Sequence, residues 1–167
     1  GEKLLQPACA FPVRDNMVIR TSTPDVRQAR RVNLELILAH HPTDCLQCIR
    51  NRNCELQALA ERLGIREIRF EHTLRGIPKD ESTPSIVREP DKCISCRRCV
   101  AMCRDVQAAT VLWPVGRGVE TVVAPACERE LGDVACALCG QCIHACPVGA
   151  IAERDDTERG FKAIADP

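Results

Sequence analysis

Two cysteine runs of identical spacing constrain this chain more than anything else in it. Cys93-x2-Cys96-x2-Cys99-x3-Cys103 recurs as Cys136-x2-Cys139-x2-Cys142-x3-Cys146, each cysteine displaced by the same interval. A repeat with unchanged spacing signals one structural unit used twice. A third group, Cys45-x2-Cys48-x5-Cys54, precedes both runs, and Cys9 and Cys127 stand apart. The 13 cysteines are an odd number, so disulfides cannot use them all. With three Phe, one Trp and no Tyr, the chain is also short of the large apolar rings from which small cores are built, so cofactors or cross-links are expected to staple it.

Three thiolates spaced two residues apart can wrap a compact iron–sulfur cube, because a tight loop aims successive side chains at different corners. Zinc is usually held by two separated pairs of ligands, and here each run has its own triplet plus a trailing fourth Cys. In two-cluster ferredoxins that fourth Cys ligates the cluster of the other run, and the second run ends in the matching Cys146-Pro147. The expected ligand sets are therefore Cys93, Cys96, Cys99 and Cys146 for one 4Fe-4S cluster, and Cys103, Cys136, Cys139 and Cys142 for the other. The first run departs from the pattern by ending in Cys103-Arg104, where simple ferredoxins have proline. A zinc-stapled interaction module is the reading from another class, and a disulfide knot is disfavoured because no secretory signal precedes the runs.

The third group supplies three thiolates where a cubane takes four ligands. Imidazole can replace a thiolate on iron, and both His41, four residues before Cys45, and its neighbour His40 are candidates. Cys9 and Cys127 complete no set; taken alone, each reads as a small buried hydrophobe.

Thr23-Pro24-Asp25 opens a helix expected to reach about Ala39, with Ala29, Val32, Leu36 and Ala39 toward a core and Arg27, Arg30 and Arg31 in water. A second helix follows Cys54, with Leu56, Leu59, Ala60 and Leu63 on one face and Gly64 as its stop. Residues 71–90 turn polar and proline-rich, which marks a boundary. Thr110–Pro114 and Val119–Ala124 read as strands of a hairpin around Gly116-Arg117-Gly118. The 23 basic and 23 acidic residues cancel, leaving no broad cationic field for nucleic acid or anionic lipid. No apolar stretch approaches the roughly 18 residues of a membrane span, and a cytoplasmic location is expected.

Together these residues resemble the accessory cluster region of the iron-only (FeFe) hydrogenases. His41-Pro42-x2-Cys45-x2-Cys48-x5-Cys54 looks like that family's 4Fe-4S site with one His and three Cys ligands, which selects His41 over His40. Cys93–Cys103 and Cys136–Cys146 look like its paired 4Fe-4S domain. Leu5-Gln6-Pro7-Ala8-Cys9 resembles the end of its plant-type 2Fe-2S domain, with Cys9 as the last of four ligands. The implied fold is α+β: a small helical 4Fe-4S domain, then a bacterial-type two-cluster ferredoxin-like domain. The implied boundaries are 1–22 for the 2Fe-2S remnant, 23–84 for the His-ligated domain, 85–154 for the two-cluster domain and 155–167 for a helix leading toward a catalytic domain. Gly1 in the initiator's place and the closing residues 156–167 read as borders of a larger protein, and none of the family's H-cluster cysteine motifs follows Cys146.

The resemblance implies three 4Fe-4S clusters here, with the 2Fe-2S cluster and the H-cluster only in a full-length parent, and electron transfer rather than bond chemistry. It also implies a multi-subunit setting with redox partners such as ferredoxin or an NADH-linked flavoprotein subunit. Similar arms occur in the large subunit of complex I and in NAD-dependent formate dehydrogenases. Arg50, Arg52, Arg97, Arg98 and Arg104 flank the cysteines and either stabilise reduced clusters or form a solvated face.

Overall fold

The computed structural model describes residues 4–165. Residues 1–3, where the expected 2Fe-2S remnant begins, and residues 166–167, the end of the expected closing helix, lie outside that range. Helix α1 (Pro24–Ala39) starts as the sequence predicts: the Thr23 hydroxyl accepts from the Val26 N–H and Pro24 takes the first helical position. Its buried face differs from the expected one. Leu34, Glu35 and Ala39 are buried and Leu36 is exposed. The cause is Glu35, a charged residue drawn inside by Arg31 at 3.0 Å and Arg69 at 2.7 Å; a buried carboxylate needs such partners, and supplying them rotates the helix.

Residues 41–54 form an irregular loop containing one 3-10 turn (Cys45–Gln47), which delivers the chain to α2 (Glu55–Arg62). Leu56 is the buried anchor of α2, and Gly64, at φ +65, follows the helix in the left-handed conformation its stop requires.

The remaining elements interleave around the second half of the core. Strand β1 (Ile86–Arg88) pairs antiparallel with β4 (Ile151–Glu153), Val87 opposite Ala152. Strand β2 (Trp113–Val115) pairs antiparallel with β3 (Val122–Ala124), Pro114 opposite Val123. This second ribbon is the expected hairpin, but its strands start later than predicted. Ala108 and Thr110 adopt positive φ before the first, and a 3-10 turn (Gly118–Glu120) precedes the second. Helices α3 (Arg98–Ala101) and α4 (Gln141–Ala145) occupy equivalent places in the two cysteine runs, and α3 continues into a wider turn (Met102–Val106). Helix α5 (Thr157–Ala165) closes the described chain.

The core joins both halves: Leu34 and Leu56 pack in one cluster with Ile86, Val100, Leu112, Ile143, Val148 and Ile151. Aliphatic side chains fill the space that aromatic rings occupy in richer cores. A buried ion pair crosses it. Arg88 reaches Asp80 at 2.8 Å and donates to the Val123 carbonyl, tying β1 to β3, while Asp80 also accepts from the backbone N–H of Leu131.

Candidate functional site

The twin cysteine runs build two cavities. Cys93, Cys96, Cys99 and Cys146 line one, together with Val123, Val148 and Ile151. Cys103, Cys136, Cys139 and Cys142 line the other, against Ile86, Leu112 and Leu131. Each cavity thus holds three sulfurs from one run and the trailing sulfur of the other, an exchange made possible because α3 and α4 pack against each other.

The loops that aim these sulfurs are alike in backbone. Ser95 and Arg97 take φ +55 and +61 in the first run; Leu138 and Gly140 take +51 and +73 in the second. In each run a left-handed residue, Arg97 or Gly140, directly precedes a right-handed helical one, Arg98 or Gln141, and such a pair turns successive N–H groups to one side, the arrangement that cradles anions and many iron–sulfur groups. Two amides already point at sulfur: Ser95 N–H at Cys93 Sγ (3.4 Å) and Val111 N–H at Cys103 Sγ (3.3 Å).

Burial, reinforced by neighbouring sulfurs, pushes the Cys99 thiol up to about 12 and that of Cys142 up to about 11. Cys146 is raised as well, again by burial, against the pull of backbone hydrogen bonds at Val148, Ile151 and Ala150. Thiols so placed stay protonated near neutrality unless a positive centre displaces the proton. Among the described residues, no three His, Cys, Asp or Glu side chains gather closely enough to hold a single metal ion. Four sulfurs spread around one void suit the corners of a cubane instead.

The third group lies along the 41–54 loop. Cys45 is exposed at the start of its 3-10 turn, while Cys48 and Cys54 are half-buried. His41 separates itself from His40. The His40 ring nitrogen Nδ1 is engaged with the Thr73 carbonyl at 3.0 Å on the exposed side. His41 Nδ1 is buried with no hydrogen-bond partner. A buried polar atom left unpaired costs about 1–3 kcal/mol, so an electron-pair acceptor at this ring fits better than none. Burial holds the His41 pKa below its ordinary value, with Asp44 pulling up and Lys92 pushing down, which keeps the imidazole in the neutral form a metal needs.

This loop is clamped to the trailing end of the second run. Arg50 donates to the carbonyls of Ile143 (2.9 Å) and Cys146 (3.1 Å), and the Glu55 N–H donates to the Pro147 carbonyl (3.0 Å). Gly149 lies against Cys48: a Cβ there would stand 2.8 Å from the Cys48 sulfur. The loop therefore adjoins the cavity containing Cys146. Neither Gly149 nor the buried Lys92 stood out in the sequence, although one sits three residues past Cys146 and the other immediately before Cys93.

The flanking arginines have different settings. Arg50 is committed to the carbonyls of Ile143 and Cys146. Arg98 pairs with Glu55 and Arg104 with Asp105, all four side chains about half exposed. Cys127, expected to be buried, is exposed: it sits at φ +59 in a tight turn that turns its side chain away from the core. Cys9 is exposed too.

Comparison with known proteins gives the geometry its context. Residues 30–69 match the family described as the NADH-ubiquinone oxidoreductase-G iron-sulfur binding region, and residues 83–152 match the ferredoxin-like domain of NADH-quinone oxidoreductase subunit 3. All of the chain is 47% identical to part of the NADP-reducing hydrogenase subunit HndD of Solidesulfovibrio fructosivorans, and 90% of it is 39% identical to part of a G-type NADH-quinone oxidoreductase subunit of Rhizobium meliloti. The chain spans 28% of the first relative and 18% of the second. A solved structure of an NAD+-reducing [NiFe]-hydrogenase superposes with a TM-score of 0.82 at 28% identity, covering 89% of this chain and 64% of that one. Hydrogenase and NADH-quinone oxidoreductase subunits thus share this region.

Proposed function

We propose that this chain, an iron–sulfur region of the NADH-quinone oxidoreductase G type, holds three 4Fe-4S clusters in a row and passes single electrons between a redox partner and the hydrogen-activating centre of an iron-only hydrogenase. The observation that carries the reading is the sorting of eight cysteines into two cavities of four, each with three sulfurs of one run and one of the other. Cys93, Cys96, Cys99 and Cys146 hold one cluster; Cys103, Cys136, Cys139 and Cys142 hold the next; His41, Cys45, Cys48 and Cys54 hold the third. When bound, such clusters accept and return one electron each at potentials set by ligand charge, burial and hydrogen bonds to sulfur.

The chain's own residues do the rest. Arg50, the Glu55 amide and Gly149 fix the 41–54 loop against the Cys146 side, which makes the order His41 site, Cys146 site, Cys103 site. Val123, Val148 and Ile151 keep water from the middle site. Cys9 belongs to a 2Fe-2S site whose other ligands lie in a longer parent. Ferredoxin or an NADH-linked flavoprotein subunit is the electron partner, in a multi-subunit complex.

The hydrogenase assignment is favoured by the higher identity to a hydrogenase subunit, 47% over the whole chain. The corresponding arm of a complex I-type large subunit is a second reading, favoured by the two family matches. Neither reading requires a membrane-spanning helix, and none among the described residues is long and apolar enough to be one.

Anaerobic reconstitution tests the cluster count: about twelve irons and as many sulfides per chain are expected from three cubanes. Two zincs without sulfide would refute it. His41→Cys is expected to keep its cluster and lower that cluster's potential, because a thiolate adds negative charge, while His40→Ala leaves the potential where it was.

A further inference from the structure

Lys92 ends the 3-10 turn (Pro90–Lys92) that leads into Cys93, and it is the cation most deeply withdrawn from water near the proposed third site, its side chain 7% exposed. Its ammonium lies 2.8 Å from a Glu89 carboxylate oxygen and 3.8 Å from one of Asp44, which itself belongs to the 41–54 loop. Two carboxylates this close favour the charged form of the ammonium between them. One fixed positive charge, tied to Asp44 between His41 and Cys45, therefore stands beside the 41–54 loop on the segment that carries the first ligand of the adjoining set.

The neighbouring cations are placed differently. Arg98 and Arg104 are about half exposed, each paired with a carboxylate in water, so solvent and salt screen them. The counter-charges of Lys92 are more exposed than Lys92 itself: Glu89 is 30% exposed and Asp44 44%. Water screens them more than it screens the ammonium, so removing the ammonium takes away the least screened charge beside the loop and leaves its two carboxylates uncompensated. Reduction of a cubane adds one negative charge, which the ammonium favours.

We propose that Lys92 sets the reduction potential of the His41-site cluster, holding it above the value it would have without this buried charge, and that Glu89 trims the effect. The inference rests on the three-cluster reading given above. It makes the electron distribution between the first two sites depend on a residue that ligates neither.

The test is a redox titration of the reconstituted three-cluster chain followed by electron paramagnetic resonance, with iron counted for every variant. Lys92→Met is expected to lower the His41-site potential, Lys92→Arg to restore most of it, and Glu89→Gln to raise it. Glu81→Gln, which removes an exposed carboxylate paired with Lys79, should leave it unmoved. Opposite shifts from the two partners of one ion pair distinguish a field effect from a structural brace, since loss of a brace would loosen the site in both variants. If Lys92→Met fails to take up iron, Glu89→Gln decides alone: an unchanged or lowered potential at full iron content overturns the role of Lys92. Absence of the His41-site signal in the unmutated protein overturns the three-cluster reading and this inference with it; its presence with potentials indifferent to both substitutions overturns only this one.

Discussion

Cys45 lies exposed on a short turn in a loop that contributes no residue to the fully buried core between His41 and Cys54, whereas Cys99 and Cys146 are themselves core residues packed with Val148 and Ile151. The two regions carry the same kind of candidate ligand in opposite settings. In the twin runs, burial raises the thiols so far that taking up metal must expel protons, and the walls of the site are the walls of the fold. In the loop, the structural burden falls on a handful of contacts with the Cys146 side. Cluster loss should therefore unfold one region and merely empty the other.

The largest test of that contrast is Cys146→Ser against Cys45→Ser. Cys146→Ser is expected to lose its own cluster and the cooperative melt of the second half, because it alters a buried ligand shared between runs. Cys45→Ser should lose about four irons of about twelve and keep the rest of the fold. Equal damage from both, seen by iron assay and circular dichroism, would abolish the contrast.

Next in size is Asp80→Ala, which leaves Arg88 buried without its partner. Breaking a buried pair this way costs about 3–5 kcal/mol, read as a lower urea midpoint for the twin-run region. Gly149→Ala probes the seam between regions. Its Cβ would displace the Cys48 sulfur, at a cost of about 1–3 kcal/mol if the seam cannot yield, and the altered resonance signal should be that of the His41 site. An alteration confined to the Cys103 site would reverse the proposed order of sites.

Acid should act on both regions through different carboxylates. Glu35 is held below its usual 4.5, first by Arg69 and, against burial, by Arg31. Asp80 is held below 3.8, where burial's upward push is overcome by Ser82, Leu131 and Arg88. A depressed carboxylate contributes stability that is fully present above its unfolded pKa and is lost as pH falls through the folded value. Glu35→Gln should therefore lower the melting temperature at pH 7, with the gap to the unmutated chain closing below about pH 4.5. A gap that widens in acid would contradict the sign.

The smallest effect belongs to the repeat itself. Arg97 and Gly140 occupy equivalent positions at positive φ, and only Gly140 is free of side-chain strain there. Arg97→Gly is expected to change stability by less than about 1 kcal/mol, relief of strain being offset by a more flexible unfolded chain, while Gly140→Arg destabilises by about 1–3 kcal/mol. Paired urea melts of the two variants check this.

Much of this was legible in the residues. The spacing of the runs carries the expectation of three sulfurs from one run and a fourth from the other, since a tight loop can point three side chains into one void but not its own fourth, and the linings of the two cavities are in keeping with it. Thr23-Pro24 and Gly64 marked helix ends through local backbone chemistry. The inward face of α1 was not legible, because Leu36 outranks Glu35 in hydrophobicity until Arg69, distant in sequence, supplies a counter-charge. Cys127 misled for a related reason: cysteine's average preference for burial says nothing about a turn at φ +59. Lys92 and Gly149 carry no periodic or motif signal; Glu89 is a local partner of Lys92, but Asp44 and Cys48, which tie the two residues to the site, come from the 41–54 loop.

By itself, then, the order of residues determined the cysteine pattern, the helix starts and the repeat, all of which depend on interactions within a few positions. The three-dimensional packing decided which histidine is left with an unpaired buried nitrogen, which cation is withdrawn from water, and which cavity the loop adjoins. Those depend on charge, exclusion of solvent and close approach between segments remote along the chain, and no local rule contains them.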